Sequence, residues 1–291
     1  MLPETVRRAF RDLFSAEPTH VQAVSGGMIN PSARVEVKGT RYFVKWKADA
    51  PPQLFAAEAR GLALLRESHT FRIPDVIAQG EATTATPAYL ILEWIDRAAS
   101  VDQWRYGAAF GQALAVLHRV SADSFGLDHD NYIGDLPQIN TPATSWPIFY
   151  RDQRLAVQMQ IAETLGYLPA YREKLIRDLM ERIETILPDV STPSLLHGDL
   201  WSGNYFPDVS GQPVLFDPAV YYGNREVELA FAQLFGGGEF FQRAYQEAYP
   251  LDPGFEERRP LLQLYPLLVH LNHFGEQYGS HVDAICRYYL K

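Results

Sequence analysis

Three side chains in two short stretches could carry phosphoryl-transfer chemistry. The segment His197-Gly198-Asp199-Leu200-Trp201-Ser202-Gly203-Asn204 sets an aspartate five positions before an asparagine, with an apolar run, Leu195-Leu196, leading in. This is the arrangement of a kinase catalytic loop. The carboxylate of Asp199 can stand beside an acceptor hydroxyl and take its proton, while the Asn204 amide oxygen, a hard donor, helps hold magnesium on the phosphates. A second carboxylate, to bridge metal and phosphates, is offered by Asp217 at the end of Val214-Leu215-Phe216. Either aspartate alone reads as a turn former or helix cap. The fixed spacing and the apolar run before each make them a pair.

Complementary groups lie upstream. Lys45 ends the β-prone run Phe43-Val44-Lys45, where an ammonium can reach the phosphates of ATP, and Glu58 follows on a helical stretch from which it can pair with that ammonium. Gly26-Gly27 lies between two β-prone runs and would let the backbone approach phosphates. Leu92-Glu93-Trp94-Ile95 closes a later strand and could present backbone groups to an adenine edge. Taken singly, these read as a solvated strand lysine, a glycine turn and an ordinary strand end. Trp201, close behind Asp199, could face a sugar or pack under the loop. His273 and Phe274 could line an acceptor pocket, and a satisfied core histidine is the competing reading.

Such groups need elements to hold them. Val6, Phe10, Leu13 and Phe14 recur at helical spacing near the N-terminus. Val21–Ser25, Ala33–Val37 and Tyr42–Trp46, separated by glycine pairs and a Lys38-Gly39 turn, predict three antiparallel strands. Pro51-Pro52 then introduces a helix with Phe55, Leu62 and Leu65 on one face, followed by strands over Ile73–Ala78 and Tyr89–Leu92. Beyond Asp96 the pattern turns helical. Trp104–Arg119, Phe149–Gly166, Leu168–Leu187 and most of Glu226–Lys291 predict helices, Asn131–Trp146 a loop, and Ser194–Leu196 and Val214–Phe216 short apolar runs ending in acidic loops. The expectation is an α+β protein with a β-rich N-lobe over residues 1–95 binding ATP and a helical C-lobe over 96–291 carrying the catalytic loop and acceptor site.

Composition narrows the class. Hydrophobic residues at 47% with 21% charged are ordinary for a folded globular chain. A formal net charge of −9 argues against nucleic acid or an anionic membrane as partner. No run reads as a signal peptide or membrane span. The one cysteine, Cys286, cannot form an internal disulfide, so the expected setting is the cytoplasm.

The chain resembles the fructosamine kinase (ketosamine-3-kinase) family, relatives of aminoglycoside phosphotransferases and choline kinases. The resemblance runs almost end to end. Its carriers include Gly26-Gly27-Met28-Ile29-Asn30, Phe55-Ala56-Ala57-Glu58-Ala59, Asn131-Tyr132-Ile133-Gly134 with Pro137-Gln138, and Phe149-Tyr150 before Arg154-Leu155. Further carriers are His197 to Asn204, Asp217-Pro218-Ala219-Val220-Tyr221-Tyr222-Gly223 with Arg225-Glu226, and Leu271-Asn272-His273-Phe274-Gly275. It implies a bilobal protein-kinase-like fold and ATP- and Mg2+-dependent phosphorylation of the 3-hydroxyl of a small-molecule or protein-bound ketosamine, promoting deglycation. Asp199 would be the base, Asn204 and Asp217 the metal ligands, and Lys45 and Glu58 the phosphate-positioning pair. Many relatives carry a cysteine where this chain has Met28, so a dimer disulfide-linked through that loop is unavailable and a monomer is expected. Two other readings stay open: a phosphotransferase for an aminoglycoside, choline or another alcohol, and a catalytically silent nucleotide-binding module.

Overall fold

Alternation of small and branched apolar residues builds the first sheet. The computed structural model describes residues 2–24, 30–189 and 192–291. Helix α1 (Glu4–Phe14) precedes β1 (His20–Ala23), β2 (Ser32–Val37), β3 (Thr40–Lys47), α2 (Leu54–Glu67), β4 (Val76–Gly80) and β5 (Ala88–Glu93). The five strands lie in the order β1-β2-β3-β5-β4, every neighbouring pair antiparallel. Ala33, Val35 and Val37, spaced by two, turn inward from β2 and pack with Val6 and Phe10 of α1 and with Val44 and Ile91. The β2–β3 hairpin turns on Lys38 and Gly39, both at positive φ (50° and 79°), as a tight two-residue turn requires. On α2, Phe55, Leu62 and Leu65 are buried at helical spacing, as their periodicity predicts.

Beyond β5 the chain runs α3 (Gln103–Leu117), β6 (Asn131–Ile133), β7 (Leu136–Gln138), α4 (Trp146–Phe149), a π-helical segment (Tyr150–Leu155), α5 (Ala156–Thr164), α6 (Ala170–Met180) and α7 (Ile183–Ile186). There follow β8 (Ser194–Leu196), β9 (Tyr205–Pro207), β10 (Pro213–Leu215), β11 (Tyr221–Gly223), α8 (Arg225–Leu234), α9 (Glu239–Ala248), α10 (Phe255–Phe274) and α11 (Gly279–Tyr289). The architecture is the expected antiparallel N-terminal sheet with one inserted helix, followed by a mostly helical remainder. Among the described residues no helix is long and apolar enough to cross a membrane.

Two compact units emerge: Met1–Tyr106 with Gly203–Pro218, and Gly107–Ser202 with Ala219–Lys291. The stretch 203–218 joins the first because its hairpin, β9 with β10, is stitched to residues upstream. Arg72 N donates to Pro213 O (3.1 Å), Leu215 N to Arg72 O (3.1 Å) and Ala98 N to Pro207 O (2.9 Å). The sequence pattern places all residues from 96 onward in the C-terminal part; the backbone of 203–218 instead finds its partners near Arg72 and Ala98.

Two other expectations need correcting. The predicted loop Asn131–Trp146 contains the hairpin β6–β7, Asn131 opposite Gln138. The predicted single helix Phe149–Gly166 broadens at Tyr150–Leu155 into π winding. Tyr150 has a partner in α10, which carries Pro260 and Pro266. Pro266 lacks an N–H and leaves the Leu262 carbonyl without its helical donor. The buried Tyr150 hydroxyl supplies one, reaching Leu261 O (2.8 Å) and Leu262 O (3.2 Å).

Candidate active site

In the first unit one ammonium serves two carboxylates. Lys45 turns inward from β3, 6% exposed, and its Nζ lies 2.6 Å from Glu58 Oε2 and 2.6 Å from Asp217 Oδ1. Burial alone would favour the neutral amine, but the charges of Asp217 and Glu58 outweigh it and hold the lysine protonated, above its ordinary range. With one cation between two anions, the more enclosed acid yields. Burial, with Asp217 adding to it and Lys45 opposing, pushes the Glu58 carboxyl up to about 7. Glu58 Oε1 is buried with no hydrogen-bond partner among the described residues. Asp217 is half exposed and adopts the left-handed backbone conformation (φ 57°), uncommon outside glycine and tolerated best by Asp and Asn. Asn204, buried, accepts Phe216 N on its main-chain carbonyl (3.2 Å) and directs Nδ2 at Asp217 O (3.4 Å), so the amide and the aspartate adjoin.

Glu93 ends β5 and Trp94 and Ile95 follow it, and their side chains are engaged in the fold. Glu93 accepts Arg72 Nη2 (2.7 Å) and Asp75 N (3.3 Å), while its own N–H donates to Asp75 O (2.8 Å). Trp94 Nε1 donates to Asp96 Oδ1 (3.0 Å), and Ile95 is buried. A ligand here would meet main chain beyond Glu93 N. Gly26 and Gly27 fall outside the described residues.

In the second unit the segment before Asp199 is held by its backbone. Gly198 takes φ 84°, and a Cβ there would lie 1.9 Å from Ala219 O, so only glycine fits. Glu228 of α8, fully enclosed, accepts His197 N (3.1 Å) on Oε2 and Gly198 N (2.6 Å) on Oε1. His118 closes the group, its Nε2 3.0 Å from Glu228 Oε2 and its Nδ1 2.9 Å from Tyr245 Oη. Burial raises the Glu228 carboxyl, but the hydrogen bonds it accepts from His118 and from the N–H of Gly198 prevail and hold it below the usual carboxylate range. Burial keeps His118 neutral, so Nε2–H donates to the carboxylate and Nδ1 accepts from Tyr245. Ala219 N donates to His197 O (2.9 Å), and Trp201 N to Asp199 O (3.1 Å). Asp199 and Trp201 are partly exposed.

His273 and Phe274, at the C-terminal end of α10, have ring centres 5.6 Å apart. His273 Nε2 lies 3.2 Å from Ile133 O and Nδ1 3.4 Å from Asp135 Oδ1, and Phe274 sits in an aromatic group with His270 (5.5 Å) and Tyr278 (6.1 Å). Sequence reading misses Glu228 and His118. Glu228 carries a faint signal, as one of two glutamates inside α8, a helix buried over nearly its whole length. His118 carries none.

A family model described as fructosamine kinase matches residues 4–291. The chain belongs to the fructosamine kinase family. A Lactiplantibacillus plantarum protein named probable ketoamine kinase is 43% identical over 272 residues, covering 92% of this chain and 94% of its own. A Thermobifida fusca crystal structure, described as a candidate fructosamine-3-kinase, superposes with a TM-score of 0.86 at 34% identity over 99% of each chain. An aminoglycoside phosphotransferase, solved as a thermostable mutant, shares the fold (TM-score 0.65, 97% and 98% coverage) at 18% identity.

Proposed function

We propose that this fructosamine kinase family member transfers the γ-phosphoryl group of ATP to the 3-hydroxyl of a ketosamine. The observation that carries the reading is the match of the whole span 4–291 to a family of this chemistry, and the side chains present are those the reaction calls for. Asp199 would accept the proton of the acceptor hydroxyl as it attacks in line, with no phosphoenzyme. Lys45, kept protonated by its two carboxylates, would lie on the phosphates and offset charge in the transition state. Magnesium bound between phosphates and protein would supply charge neutralisation. Asp217 and Asn204, hard oxygen donors at adjoining positions, would hold it. Trp201, His273 and Phe274 are proposed for the sugar side.

The enzyme is further proposed to act as a cytoplasmic monomer. Burial pushes the Cys286 thiol up to about 12, leaving it inert to disulfide exchange.

The test is ADP release with magnesium-ATP over a fructosamine, a ribulosamine, an aminoglycoside and choline, with Asp199→Asn as control. Turnover on a ketosamine that vanishes in the variant is the expected result, and the two sugars rank each other. Turnover on another acceptor alone would keep the chemistry and overturn the substrate. No turnover with intact ATP binding would favour the silent nucleotide-binding module.

A further inference from the structure

The segment Asn131–Gln138 stands out in sequence yet has no part in the chemistry above. We infer that it works through geometry: Gln138 and Asn131, oriented by Tyr265 and Arg154, position the main chain that carries Asp199. The inference rests on the reading of Asp199 as the base.

Two buried hydrogen-bond chains converge on adjacent carbonyls. In one, Tyr265 Oη donates to Gln138 Oε1 (2.7 Å) and Gln138 Nε2 to Ala219 O (3.0 Å). In the other, Arg154 Nη2 donates to Asn140 Oδ1 (2.8 Å), Asn140 Nδ2 to Asn131 Oδ1 (2.8 Å) and Asn131 Nδ2 to Val220 O (2.7 Å). Gln138 Nε2 also reaches Asn131 Oδ1 (2.8 Å) and joins the two. The second chain begins at a group that can only donate and ends at one that can only accept, so each amide between them has one permitted orientation.

Arg154 is wholly buried, and among the described residues it has no carboxylate at ion-pair distance. Its guanidinium lies instead 3.9 Å from the Tyr221 ring centre and 4.6 Å from that of Phe149. Its Nη1 donates to Ile139 O (2.6 Å) and its Nη2 to Asn140 Oδ1, while Nε has no hydrogen-bond partner among the described residues; enclosing a cation this way is costly, and a packing role alone would be served by an apolar side chain.

The two carbonyls at the end belong to the rail on which the catalytic segment lies. Tyr221 pairs with Leu196 across β11–β8, Ala219 N holds His197 O (2.9 Å), and Ala219 O presses on Gly198 where a Cβ would be. Shifting Ala219 O therefore shifts Gly198, the residue before Asp199. A misplacement of about 1 Å at a reacting group costs about 100-fold in rate.

Gln138→Met keeps the volume and removes the hydrogen bonds. The expected result is a fall in kcat of about 10- to 100-fold, with KM for ATP little changed and the melting temperature lowered, since Tyr265 Oη and Ala219 O lose a buried partner. The same change on top of Asp199→Asn should cost almost nothing further, because positioning matters only while the base is present. Unchanged kcat in folded Gln138→Met, or losses that multiply in the double variant, would overturn the inference. Hydrogen exchange gives a readout without activity: the Ala219 and Gly198 amides should exchange faster in Gln138→Met, and unchanged rates would also overturn it. Wild-type protein inactive on every ketosamine would sink the substrate reading and leave this exchange arm standing. Should Gln138→Met fail to fold, Tyr265→Phe, which removes only the donor to Gln138 Oε1, takes its place with an expected loss of about 3- to 10-fold on the same positioning argument.

Discussion

The residues proposed for phosphate and those proposed for proton transfer are held by opposite means. Around Lys45 the ties are ionic: one ammonium, two carboxylates at 2.6 Å, and a Glu58 carboxyl raised to about 7. Around Asp199 the ties run to the backbone: Glu228 holds two N–H groups, and neutral amides hold the carbonyls opposite. The first arrangement is held by charge and so answers to added charge, since one ammonium is shared between two carboxylates. The second does not, because its donors and acceptors are matched in direction and enclosed. Binding a tetra-anionic nucleotide asks for the former, and aiming a base asks for the latter.

The sharpest attempt to break this contrast is Asp199→Asn. Turnover should fall by about 10²- to 10⁴-fold with ATP affinity little changed by calorimetry. An equal loss in both would mean the two sites are not separable. Glu228→Ala comes next. It strands the buried N–H groups of His197 and Gly198 and the His118 donor, and should cost about 3–5 kcal/mol of stability by denaturant titration. A cost near zero would mean the backbone segment is held elsewhere.

Lys45→Met should raise KM for ATP and lower kcat by about 10- to 100-fold, as expected for a removed charge contact to the phosphates. It should leave exchange at the Gly198 amide unchanged.

Glu58→Gln gives the smallest effect and tests the ionic side through pH. The wild-type carboxyl binds its proton more tightly folded, at about 7, than at its ordinary 4.5. Its contribution to stability is thus fully present below about pH 4.5 and is lost as pH climbs through about 7. The melting temperature of wild type should decline over that window relative to Glu58→Gln. Parallel curves would mean that Glu58 stays ionised throughout.

Legibility in the sequence divides along the same line. Lys45, Glu58, Asp199, Asn204 and Asp217 stand out because side-chain chemistry is written in residue type and spacing. Glu228 does not, since its partners are backbone N–H groups, which every residue carries. Strand β2 shows its alternation and the others of the sheet their β-prone runs, whereas β6, β7, β9 and β11 are three residues each, too short for a period. Asn131–Gln138 reads as loop because polar and proline residues dominate it; its order comes from buried amides rather than from apolar alternation. The placement of 203–218 depends on pairing with Arg72, far upstream in the chain, which no local pattern announces.

The wide turn at Tyr150–Leu155 sets a limit on how this chain can change length. An α-helix advances about 100° per residue, so a winding that accommodates an additional residue fixes the angular phase between the helical segments on its two sides. Phe149 and Tyr150 at its start and Arg154 near its end all point at their partners only in that phase. Losing one residue here would restore ordinary winding and swing one set away from its partners, though the helix itself would survive. Insertions and deletions are commonly absorbed by surface loops. In this helix a single missing codon would be read out as a misdirected guanidinium, and lineages of this family should preserve the count of residues across it more strictly than the identities on its outer face.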